Sequence, residues 1–278
     1  MAGTGIVFGA IAPHGSLAIP GAVKPEEDAL ARTTQASMAE LGRRFEAARP
    51  DSVIVLTPHN VHVEGAMAVV TAARMAGGLA EWGAPGISLE ASVDRTLAKR
   101  VRAELRAAGI PVVGISYGGN SEAEAVHPMD WAVLIPLWFM GGRSDPQVPV
   151  VVVSPARDLT ARAHLIAGRA IAQAAAASGK RVALVASADH GHGHLESGPY
   201  GHRPESDVYD QMVVDVVRRD RLGELVEFDP ELVSAAAADS WWQMLMLAGA
   251  LGGGWKGDLL SYEHPTYFGM LCAHYAPA

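Results

Sequence analysis

The stretch "SVIVLTPHN", residues 52–60, sets four branched apolar residues in a row and then stops at Pro58-His59. A strand with one face in water alternates apolar and polar residues; an unbroken Val/Ile/Leu run belongs to a strand covered on both faces. The same form occurs at the N-terminal end, where "GIVFGAIA" (5–12) runs into Pro13-His14 in "GAIAPHGSLAIPG" (9–21). Four more runs read alike: "AMAVV" (66–70), "PVVGIS" (111–116), "VPVVVVS" (148–154) and "RVALVAS" (181–187). Between them lie helical segments at 25–48, 91–109 and 159–179. The first opens with Pro and acidic residues, and the other two end at Gly. Strand–helix alternation along the whole length predicts an α/β fold, a mostly parallel central sheet with helices on both faces, in a single domain over 1–278.

Composition narrows the function. Of 278 residues 49% are hydrophobic and 19% charged, enough apolar material for a large core. The net charge of -8 speaks against a nucleic-acid or anionic-membrane surface. No apolar run reaches the ~20 residues that cross a bilayer, and the N-terminal residues lack a signal-peptide pattern. The single cysteine, Cys272, excludes an intramolecular disulfide and a cysteine-rich zinc site, which fits a reducing cytoplasm.

The chemistry is expected where α/β sheets bind ligands, at the carboxyl ends of the strands. Three of the predicted strands end in histidine: His14, His59, and the cluster His190, His192 and His194 in "SADHGHGH" (187–194). One such histidine is ordinary; three strand ends converging on one edge are not. With Gly at alternate positions, the three side chains of the cluster can point to one side of an extended segment. Two neutral imidazoles and one carboxylate form the facial set of non-heme Fe(II), with positions left open. Asp239 in "AAAADSWWQMLMLAGAL" (235–251) is the first choice for the acid, although an Asp ahead of a helix most often caps it. Glu263 in "SYEHP" and Asp189 in the histidine cluster are the alternatives.

In order and spacing these segments resemble the class III extradiol ring-cleavage dioxygenases, the superfamily of the β subunit of protocatechuate 4,5-dioxygenase. "APHGSLAIPG" is similar to the first metal motif of that superfamily and "PDSVIVLTPHN" to the second. "ASADHGHGH" is similar to its Ser-Gly-Asp-x-Ser-His segment, which puts His192 on the catalytic histidine. "GPYGHRPESDVYDQMVVDVVRRDRLGELVEFDPELV" (198–233), "WWQMLMLAGAL" and "SYEHPTYFGMLCAHY" follow in family order. The resemblance implies Fe(2+) on His14, His59 and Asp239, a small aromatic substrate, O2, and a homo-oligomer or a small second subunit. His192 is then the acid/base.

The chain departs from the family in two places. The family's carboxylate ligand is usually Glu; an ungapped match on the "LAGAL" end puts alanine at that position, and a shift of one or two residues before the helix brings Asp239 to it. Many members carry Asp-His-Gly where this chain has "HPMDWAVLIPLWF" (127–139), with Trp131 in the histidine slot. His127, four residues earlier, would share a face with Trp131 if the segment is helical, and is the second acid/base candidate. Tyr117, Asn120, Trp131, His190 and Glu263 are further pocket candidates. An acidic substituent on the substrate would want a basic partner, for which Arg157 and Arg203 stand nearest the motifs. A superfamily member that binds metal without cleaving rings, and a Zn-dependent hydrolase, are the competing readings.

Overall fold

The computed structural model describes residues 4–278. In chain order the elements are β1 (Gly5–Ala12), α1 (Pro25–Asp28), α2 (Arg32–Ala48), β2 (Ser52–Leu56), β3 (Met67–Val70), β4 (Arg74–Leu79) and β5 (Ala84–Ser92). They continue with α3 (Arg95–Ala107), β6 (Val112–Ile115), β7 (Val126–Pro128), α4 (Trp131–Phe139), β8 (Val150–Ser154), α5 (Ala161–Ala177) and β9 (Arg181–Ser187). The last are α6 (Pro204–Arg218), α7 (Pro230–Ala235), α8 (Trp241–Leu251), β10 (Trp255–Glu263) and β11 (Met270–Pro277).

Eight strands form one sheet in the order β10-β11-β1-β9-β2-β8-β3-β6. Its centre is parallel: β1, β9, β2 and β8 all run the same way. The flanks depart from the expected parallel pattern. β3 lies antiparallel to β8, and the β10–β11 hairpin adds two antiparallel strands beside β1. The fold is therefore α/β with a mixed sheet, parallel across four of the six apolar runs, those of β1, β9, β2 and β8. The helices expected at 91–109 and 159–179 form with trimmed ends, and the one expected at 25–48 breaks at a 3-10 turn, Ala29–Ala31, between α1 and α2. Residues 91–92 belong to β5 instead, because they pair with β4 in a second sheet, β5-β4-β7.

The continuous Val/Ile runs do what their composition requires. Ile54 and Leu56 enter one core with α3, α5, α6 and α8. Their neighbours Val53 and Val55 enter another, with Met38, Leu41 and Phe45 of α2 and the apolar residues of α4. Side chains alternate along a strand, so a strand between two helical layers needs apolar residues at every position. Thr160 caps α5 and Asp130 caps α4, each accepting a backbone N–H of the first turn. α5 and α8 pack with almost no gap: a Cβ on Gly249 would lie 2.1 Å from the Leu165 carbonyl oxygen.

Candidate metal centre

The three adjacent central strands β1, β9 and β2 end on the same edge of the sheet. His14 follows β1 by two residues, Asp189 follows β9 by two, and His59 lies three beyond β2. Asp239 reaches the same point from the turn ahead of α8. Its carboxylate Oδ2 lies 3.1 Å from His59 Nε2 and 3.5 Å from His14 Nε2. One ligand atom from each of His14, His59 and Asp239 falls within 4.8 Å of the others, the compactness that a shared ion demands. The two imidazole rings stand edge to face with centroids 5.1 Å apart.

The surroundings suit these groups to holding an ion. Ser187 Oγ donates to the Ala132 carbonyl at 2.6 Å and so presents a lone pair to His14 Nδ1, 3.0 Å away. That places the ring proton of neutral His14 on Nδ1 and frees Nε2 toward Asp239. Asp239 does not cap α8. Ser240 holds the cap position, and Asp239 Oδ1 is buried with no partner among the described residues. A buried, unpartnered carboxylate oxygen beside two imidazole nitrogens fits a divalent cation. Gln243, one turn into α8, ties this corner together by donating to the backbone oxygens of Asp239 and Ser187.

Without an ion the cluster behaves as a charge pair. Burial opposes a charge on His14, but Asp189 and Asp239 together push it up to about 9. Burial would raise the Asp239 carboxyl, yet His14 and His59 outweigh it and hold Asp239 ionised. Burial pushes the Asp189 carboxyl up, against the pull of His14. Asp189 Oδ1 also accepts the His14 backbone N–H at 3.0 Å. Asp189, an alternative acid in the sequence, thus holds the His14 backbone, and its Oδ2 lies 3.4 Å from His14 Nε2.

Above the cluster opens a cavity of about 610 Å3 walled by Trp82, Trp131, Trp242, Tyr200, Tyr267 and Phe268. Trp131 leans on His59 at 4.7 Å between centroids. His192 lines the cavity, its ring stacked on Phe268 at 5.6 Å. Arg157 lines it too, donating to the Pro58 carbonyl at 3.0 Å with its guanidinium over Trp242. Arg203 points elsewhere, to the Ala235 carbonyl and the face of Tyr200.

The other expected site residues lie apart from the cavity wall. His127 sits on β7, not on a helix, because Asp130 starts α4 only at Trp131. It therefore shares no helical face with Trp131. Its Nε2 lies 3.0 Å from Asn60 Oδ1, bracing the residue after His59, and burial lowers its basicity. The histidine cluster does not present its rings to one side. His190 is fully buried, its two ring nitrogens without a partner among the described residues, and His194 turns to Asp207 and Asp210. The backbone between them lies against α6, where a Cβ on Gly191 would lie 2.7 Å from that of Ser206. Tyr117 and Asn120 are exposed on the loop after β6, at the far edge of the sheet. Glu263 is spent at the end of β10, accepting from Thr34 N and Oγ1 at 2.8 and 2.7 Å. Ser187, Gln243 and Trp82 were not expected. The signal for Gln243 was a lone amide in an apolar helix, four residues from Asp239.

The chain is 22% identical over 252 residues to Protein CA_C1420 of Clostridium acetobutylicum, a match over 90% of this chain and 53% of that protein. It thus spans about half the length of that relative. Its fold is that of uncharacterized protein JW3007 from Escherichia coli K12, with a TM-score of 0.62 and 18% identity. That superposition covers 96% of this chain and 99% of the other. Residues 9–271 match the family described as the catalytic LigB subunit of aromatic ring-opening dioxygenase, a span that takes in both Pro-His strand ends, the histidine cluster and Asp239. By that match the chain belongs to the LigB family of aromatic ring-opening dioxygenases.

Proposed function

We propose that the chain is a non-heme Fe(II) extradiol dioxygenase that opens a catechol-type ring with O2, holding iron on His14, His59 and Asp239. The observation that carries this reading is the convergence of those three ligands beneath an aromatic-walled cavity. Ferrous iron on two imidazoles and a carboxylate supplies redox chemistry toward O2 and open positions for two vicinal ring oxygens.

The protein's own part is positioning and proton handling. Trp131 and Phe268 offer flat apolar faces that orient an aromatic ring and exclude water. His192 Nδ1 is shut in the protein without a partner among the described residues, which leaves Nε2 to take the proton of a ring hydroxyl and return it later. Phe268 holds the plane of that imidazole. Ser187 and Asp189 keep His14 in the ligating tautomer and orientation. In this reading the protein works in the cytoplasm, as a homo-oligomer or with a small second subunit.

The test is anaerobic reconstitution with Fe(II), then O2 uptake and ring-opening absorbance across a panel of catechols and aminophenols. The His192→Ala protein should keep its iron and lose activity by roughly 10²-fold or more. Iron-loaded wild type with no turnover on any member would refute ring cleavage, and undiminished activity in His192→Ala would refute its role.

A further inference from the structure

A second cluster of ligating side chains lies outside the cavity. His194 Nε2 is 2.8 Å from Asp210 Oδ2, and His194 Nδ1 is 3.1 Å from Asp207 Oδ1. Asp210 is 1% exposed and fully engaged: Oδ1 accepts the Gly191 N–H, and Oδ2 also accepts the Tyr262 hydroxyl at 2.7 Å. The buried carboxylate therefore claims the proton on Nε2 and leaves Nδ1 directed at Asp207. Two acceptors facing each other at this distance need a positive bridge. Asp207 pairs with no Lys or Arg among the described residues. Exposed His264, in the turn after β10, stacks on His194 at 4.3 Å and completes the set, its ligand atom within 4.8 Å of the other two.

A proton on Nδ1 would satisfy His194 and Asp207 but gives His264 nothing to do. A metal ion uses all three. The buried Asp210 behind His194 is the carboxylate–histidine arrangement that orients metal-binding imidazoles and raises their basicity. Two imidazoles and one carboxylate suit a borderline transition ion and are too few oxygens for calcium or magnesium.

We propose that His194, Asp207 and His264 form a second, surface metal site for a zinc-like divalent ion, separate from the His14–His59–Asp239 centre. Its place gives it a consequence. His264 begins the turn that carries Tyr267 and Phe268, the residues that flank His192, and His194 N–H donates to the Tyr267 carbonyl at 3.1 Å. Asp207 lies in the first turn of α6. An ion held by the three clips that turn to α6 and stiffens one wall of the cavity.

Zinc titration of the full-length chain tests this, with stoichiometry read by elemental analysis after dialysis and with thermal melting alongside. Wild type should hold two zinc ions per chain. His14→Ala should hold one and still melt higher with zinc, and His14→Ala/His264→Ala should hold none. His264→Gln and Asp207→Asn, both at exposed positions, should each lower wild type from two ions to one without changing its circular dichroism. A His14→Ala protein that takes up no zinc, or second-site variants that retain both ions, would overturn the proposal. Because the His14→Ala background reads the second site alone, its failure is distinct from failure of the iron centre.

Discussion

His14 carries the clearest consequence of the local chemistry, because it is a base that the site charges when no ion is present. Asp189 and Asp239 push it up to about 9, whereas a metal ligand must be neutral. Ion binding below pH 9 therefore displaces a proton, so apparent metal affinity should climb by about tenfold per pH unit from 7 and level off above about 9. The metal-free protein should show the opposite trend. A raised histidine stabilises the fold fully below its ordinary value near 6.5 and loses that contribution as pH rises through about 9. Metal titrations and thermal melts across this range check both halves. Ser187→Ala removes the acceptor for His14 Nδ1–H and should weaken metal binding by roughly 10–100-fold with the fold intact. The meeting of His14 and His59 was legible because Pro-His twice closes an apolar strand; Asp239 was not legible from its position, which reads as a helix cap, and was reached through the family resemblance. Ser187 was not legible either, since a hydroxyl on the last residue of a strand looks the same whether it faces water or a histidine.

At the scale of elements, the parallel strands were legible for a physical reason: a strand covered on both faces has no polar position to blur the run. Strands β4, β5 and β7 were not, because they form a small outer sheet. Gly77-Gly78 and Pro85-Gly86 interrupt their alternation, and the segment reads as loop glycines. His127 was misplaced by the same sheet, which draws residues 126–128 into a strand beside β4. The α5–α8 contact carries the element-scale prediction. Gly249→Ala puts a methyl group 2.1 Å from the Leu165 carbonyl oxygen, so the helices must part. Urea unfolding should show a loss of about 1–3 kcal/mol. An unchanged midpoint would mean that the two helices are free to shift. Since Asp239 lies in the turn that leads into α8 and Gln243 in its first turn, the same substitution should also weaken metal binding.

For the molecule as a whole, the central claim is spatial: residues 14, 59 and 239, spread over most of the chain, meet because β1, β9 and β2 are parallel neighbours and α8 returns to their carboxyl ends. An aromatic cavity above that point, with Arg157 and His192 in its wall, gives the ring-opening family match a place to act. Among the described residues no helix is long and apolar enough to cross a membrane. The most direct measurement is an anomalous difference map, recorded at the iron absorption edge from crystals of protein loaded with Fe(II) under anaerobic conditions. The account predicts one strong peak within bonding distance of His14 Nε2, His59 Nε2 and an Asp239 carboxylate oxygen, absent from His14→Ala crystals. A map without density there, in protein that binds iron elsewhere or not at all, would contradict it.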